Sequence, residues 1–337
     1  MFWSSTGKAR ARLTQRNAAP RGLARSVRRR IFGLAPDEAS FTKRGFRGAG
    51  EPAQARLERI GSTFIVGYMA ALDDPEPESL LPAVEAVDTE VRGFAYEGAA
   101  MALALLDMLA PWDRSRVQRF LEGSDYRHVY MTYVGMGWAW ARLGRSVEPK
   151  LMRVDPLLGW LAVDGYGFHE GFFHGARYVE QRRQQPLSGY AARVFDQGLG
   201  RSLWFVEGAG VGRIIDRVRS FPEARWPDLW AGVGLACTYA GGVDREALEE
   251  LARATGPHLP QLRQGSVFAA RARERAGNLA PHVELACDVL FGKPASVVAP
   301  LADQAERAVT GAQGDTPRFE LWRQHIQRLT AAISGAA

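Results

Sequence analysis

The chain is poor in cysteine. Cys237 and Cys287 are the only two in 337 residues, which excludes a disulfide framework and a cysteine-rich zinc site and fits a reducing compartment. No stretch of 18 apolar residues runs without a charge, so no transmembrane helix is expected. No Pro/Gly/Ser-rich linker or low-complexity segment divides the chain. Strand-like alternation is missing over any useful length, and with it the context for most nucleotide motifs. Gly208-Ala209-Gly210-Val211-Gly212 lacks both the preceding strand and the spacing of a dinucleotide loop. Walker motifs, nucleophile elbows and metal-ligand clusters of useful specificity are also lacking.

Acidic residues are absent from the first 30 positions, which hold nine basic side chains (Lys8, Arg10, Arg12, Arg16, Arg21, Arg25, Arg28, Arg29 and Arg30). The formal charge of +6 therefore hides a body, residues 31–337, of net −3. An acidic body is no nucleic-acid groove. The arm reads as solvated and disordered, with an electrostatic tether to anionic lipid or to an acidic partner as its sharper use. Arg29-Arg30-Ile31-Phe32 suggests a twin-arginine export signal, but Gly33-Leu34-Ala35-Pro36-Asp37-Glu38 stands where a long apolar stretch is required. A soluble, cytoplasmic protein is expected, with membrane association only through that arm.

What the chain does have is self-similarity. Gly61, Gly98, Gly135, Gly171 and Gly208, each near the start of an apolar helix pattern, are spaced 37, 37, 36 and 37 residues apart. Gly232 and Gly265 follow at irregular steps of 24 and 33. A small residue recurs four positions on: Ala102, Ala139, Gly175, Gly212, Ala236 and Ala269. Small residues at i and i+4 share a helix face and let two backbones approach closely. Helical hairpins of about 37 residues are therefore predicted, stacked as an α-solenoid or α/α array over 31–337. Thr316-Pro317 opens a capping helix that carries Phe319, Leu321, Trp322, Ile326 and Leu329.

The position before the repeat glycine carries Glu97, Glu170, Glu207 and Gln264. A carboxylate among apolar neighbours is costly unless paired or protonated. Three at equivalent places should line one surface, as acid/base groups or as internal caps. The third repeat adds His169 and His174. Glu170 and His174, four apart, share a helix face and form a candidate acid/base pair, with His169, Glu97 and Glu207 in support. On a straight helix His169 and His174 lie roughly 140° apart, which excludes chelation of one ion between them and the metallopeptidase pattern with it. No metal or cofactor is named on these grounds. Tyr96, Tyr133, Trp138, Phe168, Phe172 and Trp204 crowd the same helices, either as core or as the lining of a tunnel for a flat apolar ligand.

The strings RGFAYEGAAMA (92–102), DGYGFHEG (164–171), FDQGLGRSLWFVEG (195–208) and GVGLACTYAGGV (232–243) resemble the UnbL-type family, a bacterial domain of unknown function linked to enediyne biosynthesis. The resemblance runs from about Phe41 to Cys287. It implies an accessory protein acting beside an iterative polyketide synthase on a linear polyene or polyyne on its way to the enediyne core. It also implies other accessory proteins as partners, one of them in the membrane. No catalytic residue comes with the resemblance. A catalytic component is one expectation; a non-catalytic carrier or scaffold that binds the polyene and docks partner enzymes is the other.

Overall fold

In a computed structural model of the protein, residues 22–334 are described except 49–50, 111 and 145, and among them every regular element is helical. Seven apolar helices form an inner layer: α2 (Glu51–Asp73), α4 (Arg92–Leu109), α6 (Val129–Arg142), α7 (Trp160–Phe173), α8 (Gly189–Val206), α10 (Trp226–Ala240) and α12 (Leu259–Arg275). Between them lie shorter amphipathic helices: α3 (Pro77–Glu85), α5 (Arg116–Gly123), α9 (Val211–Arg219) and α11 (Arg245–Thr255). The chain then runs through α13 (Pro281–Phe291) and α14 (Pro300–Val309) into α15 (Arg318–Ser334). Phe319, Trp322 and Ile326 of α15 are buried, and the Trp322 indole donates to Ala302 O at 2.8 Å, as the expected closing helix requires. No single helix among the described residues is long and apolar enough to cross a membrane.

Each inner helix packs on the one before it and the one after it, and glycine decides how closely. A Cβ on Gly98 would lie 1.9 Å from Phe64 O, on Gly135 2.2 Å from Glu97 O, and on Gly165 2.0 Å from Val134 O. The ladder continues with Gly198 on Asp164 O (1.8 Å), Gly232 on Gln197 O (1.9 Å) and Gly265 on Ala231 O (1.9 Å). Two residues further on, Gly137, Gly167, Gly200 and Gly234, and in α2 Gly67, meet a backbone carbonyl of the following inner helix in the same way. Such an approach, within reach of Cα–H···O contact, admits no side chain larger than hydrogen.

A helical repeat is compatible with this packing, but its register differs from the one read from the sequence. The first glycine of each ladder step falls at 98, 135, 165, 198, 232 and 265, so the steps are 37, 30, 33, 34 and 33 residues. Gly232 and Gly265, the copies that looked irregular, lie in register; Gly171 and Gly208 do not. Gly208 (φ +57°) is part of the turn that ends α8. Gly175 and Gly212, read as helix-contact positions, would meet nothing within 4 Å with a Cβ.

The array curls on itself. Phe94 of α4 packs edge-on to Tyr239 of α10, with centroids 5.2 Å apart. Arg273 of α12 donates to Tyr239 O and, at 2.8 Å, to Glu90 O just before α4. At the other end, residues 33–48 lie across the inner helices, held by Arg47 N–H on Val206 O (2.9 Å) and by Phe46 against Phe172 (4.9 Å).

The N-terminal arm expected to be disordered over 1–30 is helical from 22 to 32, as α1; residues 1–21 lie outside the described part. The basic side chains of α1 are not idle. Arg25 and Arg29 pair with Asp73, and Arg28 donates to Leu72 O (2.6 Å) and Asp73 O (2.8 Å). The C-terminal carbonyls of α2 thus meet cations, the arrangement a helix dipole favours.

Candidate functional site

A narrow cavity of about 30 Å³, room for one or two water molecules, lies at the end of the array covered by residues 33–48. Ile60, Phe64 and Ile65 of α2, Phe94 of α4, Trp138 of α6, Phe168, Phe172 and Phe173 of α7 and Phe205 of α8 form its walls, with Leu34 and Ala39 above them. The rings interlock: Trp138 lies 4.5 Å from Phe64 and 5.0 Å from Phe168, and Phe168 lies 5.3 Å from Phe205. Five inner helices meet here because the glycine ladder brings their backbones together and leaves the volume between them to large side chains.

Two carboxylates line this cavity. Glu38 is tied to Lys43 (2.7 Å) and Arg44 near the rim. Glu97 is 1% exposed, and its Oε1 has no hydrogen-bond partner among the described residues. Burial pushes the Glu97 carboxyl up to about 7, against the pull of the Arg201 charge and the Trp138 indole N–H. Trp138 Nε1 also completes no hydrogen bond. A carboxyl that is half protonated near neutrality, in an apolar and aromatic space, is equipped to give or take a proton.

Behind Glu97 lies a polar axis that the sequence reading passed over. Asp164 accepts from Gln197 Nε2 (2.7 Å) and pairs with Arg201, which is 4% exposed. The Arg201 guanidinium also covers Phe168, with Cζ 4.7 Å from the ring centroid. Burial opposes its charge, but Asp164 and Glu97 hold it charged. In the true register, the residues before the ladder glycines are Glu97, Val134, Asp164, Gln197, Ala231 and Gln264. Asp164 and Gln197 thus take the places assigned to Glu170 and Glu207. A glycine spacing of two within four of the seven inner helices was the available signal.

The remaining candidates separate. Glu207 is fully buried at the end of α8 and away from the cavity; Arg217 Nε meets its Oε1 at 2.7 Å, with Arg47 and Arg213 within 4 Å. Gln264 accepts from Arg323 (3.0 Å), within an ion network that joins α15 to Asp228. Tyr96 donates to Glu85 (2.6 Å) and stacks on His128, on the outer-helix side. Tyr133 lines a separate cleft with Asp155 and Trp140. Trp204 is core, its indole bonded to Gly241 O (2.9 Å). Of the six aromatic candidates, Trp138, Phe168 and Phe172 line the cavity. Phe64, Phe94, Phe173 and Phe205 join them.

Glu170, His169 and His174 do come together. Glu170 Oε1 meets His169 Nδ1 at 3.1 Å, and Oε2 meets His174 Nδ1 at 3.0 Å. His169 and Glu170 are buried, whereas the His174 side chain is 54% exposed. Burial lowers the His169 pKa and by itself would raise that of Glu170, but the two imidazoles outweigh it and hold the carboxylate below its usual range. The straight-helix projection that kept the histidines apart is corrected here. Helix α7 stops at Phe173, His174 leaves helical geometry (φ −121°, ψ 35°), and a π-turn over Ala176–Glu180 follows. The imidazole centroids end 5.8 Å apart, and one donor atom from each of the three residues lies within 4.8 Å of the others. The triad is not part of the cavity lining. It lies behind Trp138 and Phe173, whose rings are 5.7 and 4.9 Å from His169.

No curated protein and no solved structure matches the chain. A family model matches residues 23–330. The chain belongs to that family, described as Protein of unknown function (DUF1702).

Proposed function

We propose that the protein is an accessory component of enediyne biosynthesis that holds a linear polyene or polyyne in the aromatic cavity, with Glu97 carrying a proton to or from it. The observation that carries this reading is a buried carboxyl, one oxygen of which has no hydrogen-bond partner among the described residues and whose pKa is raised to about 7, facing a space lined by aromatic and aliphatic side chains. Flat conjugated hydrocarbon suits such walls, since ring faces and edges supply most of the contact. The closed cavity is about 30 Å³, so a conjugated chain is seated there only as residues 33–48 and the ring walls move apart.

The chemistry open to one carboxyl is a proton shift. Glu97 gives its proton to one carbon of the conjugated chain and regains one from another, so that a double bond moves. Charge and atoms balance, and no oxidant is consumed. The resemblance of residues 92–102 and 195–208 to the UnbL-type family agrees with this substrate class. The other enediyne accessory proteins, including one in the membrane, are the proposed partners.

A second reading is a carrier or scaffold that keeps the insoluble chain out of water. The almost wholly apolar lining favours it as much as it favours catalysis. Deuterium exchange separates the two. In heavy water, the purified protein with a synthetic conjugated polyene should incorporate deuterium into the polyene. Glu97→Gln should still quench tryptophan emission on binding but incorporate none. Stoichiometric binding without exchange by either protein leaves the carrier. Failure of the wild-type chain to bind the polyene rejects both readings.

A further inference from the structure

We propose that His169, Glu170 and His174 form a binding site for one divalent transition-metal ion, such as zinc or iron(II). Two imidazoles and a carboxylate are the donor set such ions take, and three protein ligands with an open side characterise sites that bind a further molecule. Both Nδ1 atoms already point at the same carboxylate, one at each oxygen, 3.0 and 3.1 Å away. In a tetrahedral site with bonds of ~2.0–2.1 Å, neighbouring donors stand ~3.4 Å apart. An ion entering between these groups takes the place of their protons: the two hydrogen-bonded contacts open by a few tenths of an ångström, and the widest donor–donor gap, up to 4.8 Å, closes by as much as about 1.4 Å.

The backbone is shaped for this convergence. On an uninterrupted helix the two histidines would diverge. The helix ends at His174, whose N–H still bonds Glu170 O at 2.9 Å, a π-turn follows, and there the second imidazole reaches the same carboxylate as the first. Such turns cost regular hydrogen bonding and recur at functional sites. The burial is graded as an open site requires: His169 and Glu170 are held inside, while His174 faces solvent and leaves room for water or an exogenous ligand. Trp138 connects the site to the cavity, with His169 on one side and Phe64 and Phe168 on the other.

The test uses the full chain, stripped with chelator and titrated with Co²⁺ and Zn²⁺, and with Fe²⁺ under anaerobic conditions. One ion per chain is expected, with visible d–d absorption from bound Co²⁺ and a metal-dependent rise in Tm. His174→Ala and Glu170→Gln should each weaken binding at least about tenfold, while His258→Ala, outside the cluster, should not. The half-exposed His174 makes its alanine variant the one that keeps the fold, which far-UV circular dichroism checks. No stoichiometric ion at tenfold excess of metal, or unchanged affinity in both cluster variants, overturns the site. No polyene is present in this titration, so its outcome is independent of the role proposed for Glu97.

Discussion

Replacing Glu97 by glutamine should make the protein more stable, and only at the higher end of the pH range. In the folded chain burial raises the carboxyl from 4.5 to about 7. Below pH 4.5 both folded and unfolded chains carry the proton, and no pH-dependent penalty exists. Between 4.5 and about 7 the folded chain keeps a proton that the unfolded chain has released, so stability falls as pH rises. Above about 7 the full penalty applies. At about 1.4 kcal/mol per tenfold change in proton affinity it amounts to ~3 kcal/mol. Glutamine has the shape of the protonated acid and never ionises. An unfolding entropy of ~2.1 cal/mol/K per residue makes each kcal/mol worth about 1.5 °C in a chain of this length. The Tm of Glu97→Gln minus that of wild type should therefore be about +1 °C at pH 5 and about +4 to +5 °C at pH 8, by differential scanning calorimetry across that range. A difference that does not vary with pH, or a variant less stable than wild type at pH 8, would refute the buried, unpaired carboxyl and the acid/base role built on it. A stability cost retained at one position in this way is what a functional group in an apolar site implies.

The glycine ladder predicts opposite signs for one substitution. Gly198→Ala places a methyl 1.8 Å from Asp164 O, forces α7 and α8 apart, and should cost about 3 kcal/mol or more, lowering Tm by roughly 5 °C. Gly212→Ala, exposed in α9 with nothing within 4 Å, should raise stability by up to about 1 kcal/mol in urea denaturation. Arg217→Ala leaves Glu207 buried without its 2.7 Å partner and should destabilise by ~3 kcal/mol, while deuterium exchange into polyene stays at the wild-type rate. Trp138→Leu should weaken polyene binding at least about tenfold through lost ring contact. Tyr96→Phe, which loses only the hydroxyl bond to Glu85, should leave that affinity unchanged; equilibrium titration with the polyene reads both.

The likeness among the three candidate carboxylates was only partly physical. Glu97 faces a cavity, Glu170 binds two imidazoles, and Glu207 is held by arginines. What they share is an adjacent glycine, and the three glycines serve different ends. Gly98 allows a helix to approach, Gly171 fits beneath Ser202 of the neighbouring helix, and Gly208 takes a left-handed turn. A one-dimensional alignment cannot separate close packing from chain reversal, because glycine is favoured by both. The pairing of glycines two apart, as at 135/137, 165/167, 198/200 and 232/234, is the finer signal. A helix with close neighbours on both sides needs a hydrogen-sized position on each flank, and two residues turn a helix by about 200°.

Local chemistry was enough to determine the helical class, the inner and outer helices, the closing helix at 318–334 and the pairing of Glu170 with His174. All of these follow from hydrophobic periodicity, turn residues and contacts within one helix turn. Tertiary structure decided the rest. Which carboxylate meets an apolar hollow depends on how five helices from residues 60 to 205 converge. The Asp164–Gln197–Arg201 axis depends on the register between two of them. His169 and His174 meet on the two oxygens of Glu170, where the helix ends, a convergence that spacing on an ideal helix does not show. Burial is a property of the assembled array, and it is burial that turns Glu97 from one acidic residue among 37 Asp and Glu into a group poised to exchange a proton.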